Sequence, residues 1–295
     1  MFGLGKDKYI DLFEEAAQAN LKDIHRNGDL LILPKTGDTI ISGDIHGNLE
    51  NYDKIVEVAA LDSHPERHLI VHELIHNIYR STMMPDNSWE ILIDLAELKC
   101  EYPNNVHIVI GNHELSEIQG KAIMKNGQKI PLIFGDDSDN KKFGKKVSEI
   151  KGAVLRFMRT QLVGVRHRGG VWMSHSIPAK RIHEFSLSLF ERGGSKVATL
   201  AKSQEQYKEH IIEDLTWGRD YSDAIVSTFK EKVQARCIVV GHEPCDKGYA
   251  RPHKDVVILD SKDENAVFLY LKNDKAYTSD EVMKSVRHLH KKPGT

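Results

Sequence analysis

Five short stretches of this chain hold residues that could do chemistry: "GDIHGN" (43–48), "HELIHN" (72–77), "GNHE" (111–114), "MSHS" (173–176) and "VVGHEP" (239–244). Four of them end apolar runs, in "TIISGDIHG", "VHIVIGNHE", "GVWMSHS" and "CIVVGHEP". Polar side chains at the end of a buried strand are costly unless something binds them. Asp44, His46, Asn112, His175 and His242 together make an oxygen-and-imidazole set. That mix suits borderline divalent cations such as manganese, iron or zinc. Gly43, Gly111 and Gly241 let the backbone turn tightly just before each ligand. Taken singly, each motif reads as a turn, a helix N-cap or a satisfied core histidine. Four of them in one format point to a shared metal site.

The elements that must position these residues follow from periodicity. Residues 8–25 read as an amphipathic helix ended by Asn27-Gly28, and "LLILPKTGDTIIS" as two short strands around a turn. A helix follows "GDIHGN", and "HLIVHEL" reads as a buried strand. "NSWEILIDLAELKCEYP" is a helix with a capping box from Asn87 and Glu90, closed by Pro103. Strand 106–110 leads into "GNHE". A helix is expected over 147–158, a hairpin over "QLVGVRHRGGVWMSH" with its tip at 167–170, and helical stretches within 179–235. "ARCIVVGHEP", "DVVILD" and "AVFLYLKNDKAYT" read as further strands. Strand and helix alternate, so the fold class is α/β. With no repeat, linker or composition break, residues 1–295 are expected to form a single domain, with an N-terminal helix in 1–28 and a C-terminal helix and tail in 280–295. In open α/β sheets, ligands bind at the carboxyl ends of the strands, where these motifs fall.

"GDIHGNLENYDKI", "SWEILIDLAELKCEYPNNVHIVIGNHE", "RGGVWMSH" and "VVGHEP" resemble, in order and rough spacing, the phosphoprotein phosphatase family of metallophosphoesterases. The resemblance implies a β-sandwich of two mixed sheets flanked by helices, with two divalent ions at strand ends. Manganese is the first expectation, iron or zinc the alternatives. By position, Asp44 and His46 would serve one ion, and Asn112, His175 and His242 the other. His113 would be the general acid. Asn112 would also touch the substrate phosphate. Glu114 would anchor its loop, support His113 or act as a plain N-cap. The implied reaction is hydrolysis of phosphoserine or phosphothreonine, with phosphotyrosine possible, by direct attack of a metal-bridging hydroxide.

The chain departs from the family at "HELIHN", where Gly-Asp-x-x-Asp-Arg is expected. Glu73 takes the place of the bridging aspartate, and His76 that of the aspartate that orients the catalytic histidine. Asn77 replaces the arginine that grips phosphate. Arg219, in "LTWGRDYS", and Arg80 are the candidate substitutes for that arginine. In this reading Glu73 binds metal and His72 does not. "HELIH" is also His-Glu-x-x-His, the zinc-protease signature, in which His72 and His76 would share one zinc and Glu73 would be the base. That rival needs a helix and leaves the other four motifs unexplained.

Composition narrows the partners. The net charge of −2 gives no basic field for nucleic acid or an anionic membrane. No stretch approaches the roughly 18 apolar residues of a membrane span. Three cysteines without a CxxC pair suit a reducing compartment. The expectation is a cytoplasmic enzyme acting on a phosphorylated protein or peptide. A dinucleoside tetraphosphate hydrolase and a phosphate-binding pseudoenzyme are the alternatives. His107, His167, His183, His210, His253, His288 and His290 read as packing or surface residues, and Cys245 as a passive thiol.

Overall fold

Two periodicities build four layers. The computed structural model describes residues 6–77, 87–125, 128–130, 133, 144–192 and 201–290. Its helices are α1 (Lys6–Lys22), α2 (Leu49–Ala59), α3 (Ser88–Glu101), α4 (Asn112–Gln119), α5 (Val147–Arg159), α6 (Ala201–Trp217), α7 (Asp223–Val233) and α8 (Ser279–Lys284). The strands of the first half are β1 (Arg26–Asn27), β2 (Leu30–Ile32), β3 (Asp38–Asp44), β4 (Arg67–His72), β5 (Val106–Val109), β6 (Met124–Lys125) and β7 (Gln128–Lys129). The second half adds β8 (Gly164–His167), β9 (Val171–Met173), β10 (Cys237–Val240), β11 (Tyr249–His253), β12 (Val256–Leu259), β13 (Val267–Lys272) and β14 (Val286–His288).

The strands form a five-stranded mixed sheet, ordered β14-β13-β3-β4-β5, and a seven-stranded mixed sheet, ordered β1-β2-β8-β9-β10-β12-β11. Strand residues alternate between two cores. Ile41, Ile70, Val109, Met173, Val239, Leu259 and Leu269 meet between the sheets. Their neighbours Ile40, Leu69, Val71 and Ile108 face outward, under α1, α2, α3 and α5. On the other side Trp172, Ile238, Val240 and Ile258 lie under α6 and α7. In α5 the buried residues Ile150, Ala153, Val154, Phe157 and Met158 follow the helical repeat onto one face. The result is a β-sandwich flanked by helices.

β3, β4 and β5 run parallel, as do β9 and β10. Their carboxyl ends therefore open on one side. There the sheets join through a bridge between Asp44 and Asp260. Gly43 makes this approach possible, because a Cβ would lie 2.4 Å from the backbone nitrogen of Asp260.

Several boundaries differ from the sequence-based expectation. The first helix stops at Lys22, because the chain must turn for Arg26 and Asn27 to pair with β2. Asn87 is at the N-cap of α3, but its side chain makes no capping hydrogen bond. Past Lys284 the chain becomes strand β14, paired with β13, rather than continuing as a helix. The hairpin of β8 and β9 forms with Val165 opposite Met173. Among the described residues no helix is long and apolar enough to cross a membrane.

Candidate metal centre

Each chemical motif occupies the loop after a strand. Asp44 ends β3, and His46 follows before Asn48 caps α2 by accepting from the Asn51 amide at 3.1 Å. His72 ends β4. Asn112 and His113 open α4 just beyond β5. His175 and His242 lie two residues past β9 and β10. The first two loops interlock: Ile45 and His46 both donate their amides to the Glu73 carbonyl at 2.9 Å.

"HELIHN" is therefore a strand end and an irregular loop, with no helix over 72–77. His72 and His76 are thus not set on one helix face, and the zinc-protease helix is not formed. Glu114 anchors this loop. Its Oε1 accepts from the Leu74 amide at 2.8 Å and the Ile75 amide at 3.3 Å. Ser88 Oγ accepts from the His76 amide at 2.7 Å. Of the six non-glycine residues with positive φ among the described residues, four lie in these loops: His46, Glu73, His76 and His242. Such conformations typically cost about 1–3 kcal/mol each and persist only where the surroundings over-determine them.

The six residues expected as metal ligands converge. Glu73 Oε2 lies 3.5 Å from His46 Nε2 and 3.3 Å from His175 Nε2. Asn112 Oδ1 lies 2.8 Å from both His175 Nε2 and His242 Nδ1. Asp44 Oδ2 accepts from the His242 amide at 2.7 Å, while its buried Oδ1 has no hydrogen-bond partner. Two overlapping triads, Asp44-His46-Glu73 and Glu73-His175-His242, have the spacing of ligand sets. A third, Asp44-His72-His175, includes a residue that the family pattern leaves out. Burial, and then repulsion from Glu73, push the Asp44 carboxyl well above its ordinary range. Burial lowers His175 to about 3 and His242 to about 2, so both rings are neutral with a lone pair to give. Two buried carboxylates among neutral imidazoles, with an orphaned oxygen between them, fit divalent cations.

The general-acid candidate has a different support from the one the family pattern implies. His113 Nδ1 lies 3.0 Å from His76 Nδ1. His76 Nε2 in turn lies 3.4 Å from Glu117 Oε2, and Glu117 is fully buried. The negative charge that His76 lacks is thus present one residue further out. The signal was legible in "GNHELSE": Glu117 is one helical turn after His113 and shares its face.

Asp44, His46, Glu73, Asn112, His113 and His242 floor a cleft of about 550 Å³, whose walls add Ile123, Met124, Trp217, Arg219, Pro244 and Lys262. Arg219 is exposed on the rim and donates Nε–H to His242 Nε2 at 2.9 Å. Trp217 meets the His242 ring edge-on at 5.8 Å. Lys262, buried and paired with Asp260, adds a cation that the motifs did not signal. Its backbone carbonyl accepts from Asn48 Nδ2 at 2.9 Å, which ties it to the first motif. Arg80, the other candidate phosphate grip, lies outside the described residues.

Comparison with known proteins bears on the family and the fold. Residues 38–258 match the family described as calcineurin-like phosphoesterases. No curated protein matches the sequence. Among solved structures, a protein serine/threonine phosphatase from Saccharomyces cerevisiae, described as similar to human phosphatase PP5, superposes with a TM-score of 0.61 at 13% identity, over 96% of this chain and 88% of that one. A cold-active protein-tyrosine phosphatase of a psychrophilic Shewanella species gives 0.59 at 15% identity, over 87% and 80%. At such identities the likeness is one of fold.

Proposed function

Because the chain belongs to the calcineurin-like phosphoesterase family, we propose that it is a metal-dependent protein phosphatase. Its substrates would be phosphoserine and phosphothreonine side chains, with phosphotyrosine as a further one. One observation carries this reading: Asp44, His46, Glu73, Asn112 and His242 converge on the floor of a cleft with an exposed arginine at its rim, and His175 meets Glu73 and Asn112 from beneath. Two divalent cations, manganese first and iron or zinc as alternatives, would be held by Asp44, His46 and Glu73 on one side and Glu73, Asn112, His175 and His242 on the other, and would supply Lewis acidity and an acidified water.

The chain's own groups do the rest. Glu73 fits between the two sets because its Oε2 faces His46 and His175 at once. The Asn112 amide oxygen offers a neutral ligand beside two imidazoles. Arg219 and Lys262 place positive charge where phosphoryl oxygens accumulate negative charge. While Arg219 donates to His242 Nε2, that ring must keep its proton on Nδ1. Moving the proton to Nε2 turns the Nδ1 lone pair inward and frees the guanidinium to grip phosphate. His113 hands a proton to the departing oxygen, steadied by His76 and the Glu117 carboxylate. The phosphatase names carried by the two superposed structures support this choice of substrate class.

The test is hydrolysis of p-nitrophenyl phosphate, phosphoserine, phosphothreonine and phosphotyrosine peptides, and a dinucleoside tetraphosphate, with manganese, by wild type and Asp44→Asn. The reading expects turnover of the phosphopeptides, abolished in the variant. Turnover of the dinucleotide alone would make the protein a nucleotide hydrolase. Ion binding without turnover of any of them would make it a phosphate-binding pseudoenzyme.

A further inference from the structure

His72 replaces the glycine of the family pattern, and its surroundings fix its chemistry. The ring is fully buried. Its Nε2 lies 3.0 Å from the Ser42 carbonyl, an acceptor only, so Nε2 carries the proton. Its Nδ1 therefore presents a lone pair, with His175 Nδ1 at 3.3 Å and Asp44 Oδ1 at 3.6 Å. Asp44 Oδ1 also lies 3.7 Å from His175 Nδ1. His72 Nδ1 needs a donor, and His175 Nδ1 at 3.3 Å is within hydrogen-bond reach of it. A neutral imidazole at His175 has one proton to place, on Nδ1 or on Nε2. Putting it on Nδ1 satisfies the His72 lone pair at 3.3 Å and turns a positive N–H edge toward Asp44 Oδ1 at 3.7 Å. That leaves a lone pair on His175 Nε2, the atom facing Asn112 Oδ1 at 2.8 Å and Glu73 Oε2 at 3.3 Å. Gly241 makes room for this arrangement. A Cβ there would lie 2.0 Å from Asp44 Oδ1 and 2.5 Å from His72 Cε1.

We propose that His72 is a positioning residue, a relay from the Ser42 carbonyl to His175 that fixes the His175 tautomer and aims its Nε2 at the cation site. Metal-bound histidines almost always donate their other ring N–H to a fixed acceptor. Here an imidazole supplies that acceptor. The proposal rests on the metal-centre reading above, but not on which ester is hydrolysed.

The experiment uses the full chain, stripped by chelation and titrated with zinc, with affinity and stoichiometry read by calorimetry and elemental analysis. His72→Ala should weaken binding by about 10- to 100-fold with an unchanged number of ions at saturation, as loss of such an outer partner does. His72→Gln, whose amide oxygen can still accept from His175 Nδ1–H, should stay within a few-fold of wild type. Nitrogen-15 spectra of the wild-type zinc form provide a test that needs no variant. They should show the proton on Nε2 of His72 and on Nδ1 of His175. Unchanged affinity in His72→Ala, or a His72 Nδ1 resonance shifted by direct ligation, overturns the proposal. An ion lost in both variants means His72 is itself a ligand and overturns it too. A wild type that binds zinc but hydrolyses no ester sinks the phosphatase reading alone, and one that binds no ion sinks both.

Discussion

β4 and β5 carry buried histidines at both ends. At the amino ends His68 and His107 stack at 5.2 Å, with His68 Nδ1 2.9 Å from His107 Nε2. His107 Nδ1 lies 3.0 Å from Asp23, and Lys99 reaches the same carboxylate at 3.2 Å. At the carboxyl ends, about 13 Å away at strand rise, stand His72, Asn112 and His113. Burial lowers the basicity of His68 and His107 to about 3 and 4, in the range of the rings at the other end. The difference is electrical. Asp23, the carboxylate beside the stacked rings, is matched by the Lys99 ammonium. At the carboxyl ends Asp44 and Glu73 face imidazole nitrogens, while Lys262 pairs with Asp260. A buried histidine therefore says little about function. Lone pairs turned toward lone pairs say a good deal.

The comparison can be broken by variants at each end. Asp44→Asn should abolish hydrolysis and reduce bound metal, whereas Lys99→Met should leave both intact; comparable activity in the two would erase the distinction. His113→Ala should lower kcat by about 10²–10⁴-fold on phosphoserine peptides. It should do so far less on p-nitrophenyl phosphate, whose leaving group needs little help from an acid, and equal losses on both would remove the general-acid role. Glu117→Gln should cost about 10- to 100-fold on the peptides and little metal, which kinetics with metal analysis would show. Chelation should lower the unfolding midpoint by a few degrees in wild type but not in Asp44→Asn, because an ion at 100 times its Kd adds about 2.7 kcal/mol. The smallest effect belongs to the far end. His68 and His107 have folded basicities below the unfolded value of 6.5. From pH 6.5 down to about 4 for His107 and about 3 for His68, the unfolded chain takes up protons there that the folded chain refuses, so stability falls as pH falls. His68→Gln should flatten that slope in metal-saturated protein and leave kcat unchanged, as pH-dependent denaturation and kinetics would show.

Much of this was legible in the sequence because strands advertise themselves. Apolar runs broken by Gly-Asp, Gly-Asn-His or Gly-His placed Asp44, Asn112 and His242, and Ser-His after the run in "GVWMSH" placed His175. "HELIHN" was harder. Its His-Glu-x-x-His spacing mimics a helical pattern, and only the interlocked carbonyl of Glu73 and the Glu114 anchor show it as a loop. Lys262 carries no motif and Glu117 is marked only by its spacing from His113, since their roles arise from the fold that brings Glu117 behind His76 and β12 beside β3. Strand β14 was missed for a similar reason: a three-residue strand is defined by its partner β13, not by its own pattern.

The left-handed backbone at His46, Glu73, His76 and His242 has one more consequence. Those loops resemble wound springs, latched by a few amides and carboxylates rather than by propensity. Warming or mild denaturant should release the latches before the sandwich opens. Catalysis would then fade while circular dichroism still registered an intact molecule.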